Sequence, residues 1–98
     1  MKFKFERKIL EIVIEKYERG GQAIIACCKN GDIFTVLSVC LDTPPQKNCF
    51  WLKNYSENED IAKFMLAEGL VRLTGRTMES GFVTIPEAKL IWPDLGEK

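Results

Sequence analysis

Apolar positions along this chain recur mostly at the two-residue spacing of strands, and one stretch alone carries a helical period. Phe3 and Phe5 alternate with Lys2 and Lys4, as in a strand with one face in the core and the other in water. From Lys8 to Arg19 the period is ambiguous. Ile9, Leu10, Val13 and Tyr17 fit one helical face, whereas Leu10, Ile12 and Ile14 alternate with Glu11, Val13 and Glu15. The β-branched run Ile12-Val13-Ile14 favours a strand, and Glu15 to Arg19 before Gly20 leaves a helix open as the alternative.

Gly20-Gly21 breaks the chain. Ala23 to Cys28 and Ile33 to Leu41 then form two β-rich runs around Lys29-Asn30-Gly31-Asp32. Asn and Gly tolerate the positive φ of a primed turn, so a hairpin is predicted here. In its second arm Ile33, Leu37, Val39 and Leu41 fall on one face and Phe34, Val36 and Cys40 on the other, the pattern of a central strand. Pro44 and Pro45 make the stretch from Asp42 to Asn48 a surface loop. Cys49 to Lys53 reads as a short strand.

Ser56 and Glu59 have the spacing of a capping box, and Ile61, Phe64, Met65 and Glu68 then space a helix that Gly69 closes. Leu70 to Thr77 and Phe82 to Leu90 form a last hairpin around Met78-Glu79-Ser80-Gly81, with Pro86 near an edge or an end. The order β-β-β-(β)-α-β-β predicts an α+β fold, a mostly antiparallel sheet of about five or six strands with one helix on a face. The chain of 98 residues, 46% of them hydrophobic, suits a single domain over 1–98, folded from 3 to 91. The tail 92–98 is expected to fray after Trp92 docks.

Charge narrows the function classes. Fourteen basic residues balance fourteen acidic ones, so no net field draws nucleic acid or an anionic bilayer to the chain. No apolar stretch approaches the ~20 residues of a membrane span. The charges of Lys2, Lys4, Glu6, Arg7 and Lys8 break any signal-peptide pattern, which gives a cytoplasmic expectation. Without histidine there is no Ser-His-Asp or Cys-His arrangement and no imidazole ligand. Cys27, Cys28, Cys40 and Cys49 form no CxxC pair and sit among apolar neighbours, as reduced buried thiols do, so neither a disulfide framework nor a metal is expected. No phosphate-binding glycine motif is present, and no cofactor is expected.

The densest polar cluster runs from Asn54 to Asp60. Glu57, Asn58, Glu59 and Asp60 would present carboxylates and an amide at a rigid helix start, where charge steers association with a basic surface. The same acids also answer the positive helix terminus, at ~0.3 to 1 kcal/mol each, without any partner. They lack the spacing of a calcium loop.

Tyr17-Glu18-Arg19-Gly20-Gly21-Gln22-Ala23-Ile24, Tyr55-Ser56-Glu57-Asn58-Glu59, Ala67-Glu68-Gly69-Leu70 and Ser80-Gly81-Phe82-Val83-Thr84-Ile85-Pro86 resemble a family of small proteins of unknown function. That family is carried by plasmids and conjugative transposons of gut bacteria. The resemblance implies a mobile-element accessory protein, non-enzymatic and acting by protein binding, with inhibition of a host defence nuclease (anti-CRISPR or anti-restriction) as the leading role. The alternatives are an adaptor in conjugation or plasmid maintenance, a small nucleic-acid-binding domain, and a small transferase or nuclease built on carboxylates.

Overall fold

The computed structural model describes residues 1–91, so the expected fraying of 92–98 lies outside the described residues. The strands are β1 (Lys2–Phe5), β2 (Lys8–Lys16), β3 (Gln22–Cys27), β4 (Ile33–Val36), β5 (Ser38–Val39), β6 (Phe50–Leu52), β7 (Val71–Ser80) and β8 (Val83–Leu90). A 3-10 turn at Ser56–Asn58 leads into the helix α1, Glu59–Ala67. The strands form two antiparallel four-stranded sheets, β1-β2-β3-β4 and β5-β6-β8-β7, in place of one sheet of five or six strands. The α+β class and the antiparallel pairing stand.

The ambiguous first segment is a strand. The reason is pairing on both sides, with β1 through Lys2↔Glu11 to Phe5↔Lys8 and with β3 through Glu11↔Cys27 to Lys16↔Gln22. A two-residue turn, Glu6-Arg7, joins β1 to β2 with positive φ at both positions (50° and 71°).

The long run Ile33 to Leu41 is no single central strand. It bends at Leu37 and belongs to both sheets as an edge, β4 in the first and β5 in the second. Leu37 is buried at the bend; its amide donates to the Ile24 carbonyl at 2.8 Å, and its carbonyl accepts from Lys53 N at 2.8 Å. The apolar residues on both faces of this run reflect its passage from one sheet to the other: Leu37 is buried, whereas Ile33, Val36 and Cys40 are exposed. The turn before β4 also differs in type. Gly31 alone has positive φ (95°), and Cys28 closes a three-residue loop by donating to Asp32 O at 2.7 Å and accepting from Gly31 N at 2.9 Å. That is a turn followed by a left-handed bulge residue, the next commonest hairpin connection.

Both sheets and the helix share one core. Leu10, Ile12, Ile24 and Ala26 from the first sheet, Phe50, Leu52, Ala88 and Leu90 from the second, and Ile61, Ala62 and Met65 of α1 form one buried cluster. Phe64 stacks on Phe3 and tilts against Phe5, ring centres 6.0 and 5.2 Å apart, so the apolar half of β1 docks on the helix while Lys2 and Lys4 stay exposed. Gly69 ends the helix with φ 74°: its amide reaches Leu66 O, and Leu70 N reaches Met65 O, the paired bonds of a Schellman motif.

In the last hairpin the turn is Gly81-Phe82, between the paired Ser80 and Val83, and Met78, Glu79 and Ser80 belong to β7. Pro86 lies in β8, an interior strand, where the pairing with β6 stops at Trp51↔Glu87, one residue short of it. The far face of the second sheet is covered by the segment 42–49. There Trp51 Nε1 donates to Thr43 O at 2.8 Å, and Cys49, Trp51, Ile85 and Glu87 are buried. Of the four thiols Cys49 alone is buried; Cys27 and Cys28 are half-buried, and Cys40 is exposed because β5 ends before it.

Candidate functional site

The helix start is built differently from a capping box. Ser56 has φ 58°, and neither Tyr55 nor Asn58 caps with its side chain. Glu57 accepts from Lys53 Nζ at 2.7 Å, and this bond, with its own backbone amide and the Ser56 hydroxyl, holds the carboxyl down at about 2. The same contact raises the Lys53 ammonium. Glu59 faces Lys63 at 4.0 Å, one helical turn on, and Asp60 is exposed.

Asn58 stands apart from its three neighbours. It is fully buried, accepts from Thr35 Oγ1 and donates through Nδ2 to Val36 O at 2.8 Å. An amide can satisfy a hydroxyl and a carbonyl at once, and here it ties the helix start to the edge strand β4. Of the four residues singled out in the sequence, Glu57, Glu59 and Asp60 are on the surface and Asn58 fixes where that surface sits.

The edge so fixed borders an apolar face that the residue pattern concealed. Cross-strand pairing places Val13, Ile25 and Val36 in one row, with Glu11, Cys27 and Ile33 beside it. Strand alternation puts these rows on the side of the first sheet away from Leu10, Ile12 and Ala26, hence away from the helix. Ile33 is 62% exposed, Ile9 48%, and Val13 and Val36 38% each. Read in sequence, β-branched residues on both sides of β2 and β4 suggest burial on both sides; the topology supplies a cover for one side.

A second polar constellation was missed. Glu87, in the middle of β8, is fully buried, yet each carboxylate oxygen has two donors. Oε1 accepts from Gln46 Nε2 at 2.7 Å and Thr74 Oγ1 at 2.6 Å, and Oε2 from Gln46 N at 2.7 Å and Arg76 Nη1 at 3.1 Å. Burial pushes this carboxyl up; the bonds from Thr74 and Gln46 and the Arg76 charge together hold it below its ordinary value. Arg76 also lies over the Trp51 ring, 5.6 Å from its centre. Burial beside this anion raises the Cys49 thiol, against the charges of Lys89 and Arg76. With four donors engaged, Glu87 holds the segment 42–49 onto the sheet rather than offering a base to a substrate. A lone Glu between Pro86 and Ala88 gives no sign in the sequence that Gln46, 41 residues away, is its partner.

Among the described residues no group of three metal-ligating side chains converges, and no helix is long and apolar enough to cross a membrane. No protein-family model, curated protein or solved structure matches the chain.

Proposed function

We propose that this chain is a non-enzymatic binding module whose partner is a protein, docked on the apolar outer face of the first sheet with Glu57, Glu59 and Asp60 at its rim. The observation that carries the reading is that row of Val13, Ile25 and Val36 next to the half-exposed Ile33, uncovered beside a helix start that Asn58 locks to β4. An apolar centre with a charged rim is the usual anatomy of a protein interface. The acidic rim selects a basic partner surface, and charge of this kind acts mainly on the association rate. A nucleic-acid groove on a defence nuclease has that chemistry, and the resemblance to mobile-element proteins favours such a target.

The carboxylates support binding over catalysis. Glu57 is engaged by Lys53 and Glu87 by four donors, so neither is poised to exchange a proton near neutral pH. The test is capture from bacterial lysate with the parent and with the pair Val13→Lys and Val36→Lys, both at partly exposed positions. Loss of one defined protein from the capture, with the fold intact by circular dichroism, is expected. The same protein captured equally by both overturns the reading. An adaptor in conjugation would show itself as a captured relaxosome component, and a nucleic-acid binder as oligonucleotide binding that both forms share.

A further inference from the structure

At the ends of the two sheets, β2 and β3 on one side and β8 with residues 47–48 on the other enclose a cleft in two adjoining parts of about 330 and 260 Å³. Both parts share Ile14, Gln22 and Asn48; Lys89 lines the first, and Lys16 and Lys47 line the second. This place lies outside the docking face: Ile14 has the same strand parity as Leu10 and Ile12, which point to the core.

Three features give the cleft a chemistry. Among the described residues no carboxylate lines it and none of its three lysines is in an ion pair, so the described lining carries positive charge alone. Gln22 Oε1 is buried without a hydrogen-bond partner, the one such side-chain atom among the described residues. A buried acceptor in that state wants a donor, and native structures seldom leave one without reason. Ile14, finally, is 42% exposed although the residues two and four before it are fully in the core, which leaves an apolar wall beside the amide.

The rim is held in place. Gln22 N donates to Cys49 O at 3.2 Å and Cys49 N to Gln46 O at 3.0 Å, which braces the segment carrying Lys47 and Asn48, and Asn48 itself takes a left-handed φ of 64°. Such backbone conformations persist where surrounding structure imposes them, and they gather at ligand sites.

The geometry points to this cleft as a binding site for a nucleoside monophosphate. The phosphate lies among Lys16, Lys47 and Lys89, a ribose hydroxyl donates to Gln22 Oε1, and the base covers Ile14. Free phosphate answers only the lysines, and an uncharged nucleoside answers only the amide and the apolar wall.

The experiment is an NMR titration of the full chain with AMP, inorganic phosphate and adenosine as separate arms, following the side-chain amide signals of Gln22 and Asn48. AMP should move both signals and saturate, with Kd at least about tenfold below those of phosphate and adenosine. The pair Lys47→Gln and Lys89→Gln, at exposed positions, should weaken AMP binding by about tenfold or more. Gln22→Leu should weaken AMP and leave phosphate binding unchanged. AMP that leaves both signals unmoved, binds no better than phosphate, or binds the double lysine variant as it binds the parent overturns the assignment.

Discussion

Gly21 and Pro45 are packed so closely that a Cβ on Gly21 would stand 2.6 Å from Pro45 Cγ. Gly20 meets Pro44 in the same way at 3.2 Å, so the turn between β2 and β3 is seated on the two prolines of the segment that covers the second sheet. Gly21 has φ 92°, where an L side chain costs ~1 to 2 kcal/mol, and the clash adds an overpacking cost of ~1 to 3 kcal/mol. Gly21→Ala should therefore lose about 2 to 5 kcal/mol in urea denaturation. Gly31→Ala is the control: φ is 95° there but nothing lies within 4 Å, so only the conformational cost of ~1 to 2 kcal/mol should appear. Equal losses at the two sites would mean that the glycine-proline contact is slack.

The turn between β1 and β2 points the other way, toward stabilisation. Glu6 and Arg7 both have positive φ, the geometry of a type I′ hairpin, with side chains that disfavour it. Both are exposed, so replacing them disturbs no packing. Glu6→Asn with Arg7→Gly should raise stability by about 1 to 3 kcal/mol, read as a higher denaturation midpoint at unchanged slope.

These two turns show what the sequence could and could not reveal. Glycine at Gly20-Gly21 and Gly31 announced breaks by residue type, whereas Glu6-Arg7 carries no turn chemistry and is a turn because Phe5 and Lys8 must pair. The helix was legible from Ile61, Phe64 and Met65, and its end from Gly69. The second sheet was not, because the bend at Leu37 depends on partners at Ile24 and Lys53 that are distant in the chain. The candidate site divides along the same line. Glu57, Glu59 and Asp60 are surface charges as their type suggests, while the role of Asn58 is set by Thr35 and Val36, and the cleft around Gln22 is made by segments from both sheets.

Glu87 makes stability depend on acid. Its carboxyl titrates below the ordinary value in the folded chain, so its contribution is complete above the unfolded pKa of about 4.3 and is lost as pH falls through the lower, folded value. Glu87→Gln should cost about 1 to 3 kcal/mol at neutral pH, because the amide group of Gln cannot accept from all four donors, while Arg76 is partly exposed and its charge is answered by water. The variant should also lose less further stability than the parent between about pH 5 and pH 3. Glu57 titrates in the same direction but is present in both proteins, so it cancels in the difference. Parallel pH profiles for the two proteins would show that Glu87 is not the group responsible.

The acidic segment separates into structural and surface roles by single substitutions. Asn58→Ala removes the acceptor of the Thr35 hydroxyl and the donor to Val36 O, leaving a buried hydroxyl and a part-buried carbonyl without partners. At about 1 to 3 kcal/mol for the stranded hydroxyl and about 1 kcal/mol for the part-buried carbonyl, a loss of roughly 2 to 4 kcal/mol is expected. Ser56→Ala tests the capping box directly. A capping hydroxyl would be worth ~1 kcal/mol, but the Ser56 hydroxyl does not cap, so the change should be close to neutral. Ser56→Gly should stabilise, since φ 58° suits glycine. Glu57→Gln with Asp60→Asn should leave the fold intact and slow association with the captured protein, most visibly at low salt, where charge steering is strongest. An on-rate equal to the parent's at low salt would remove the acidic rim from the interface and leave the outer sheet face to account for binding by apolar contact alone.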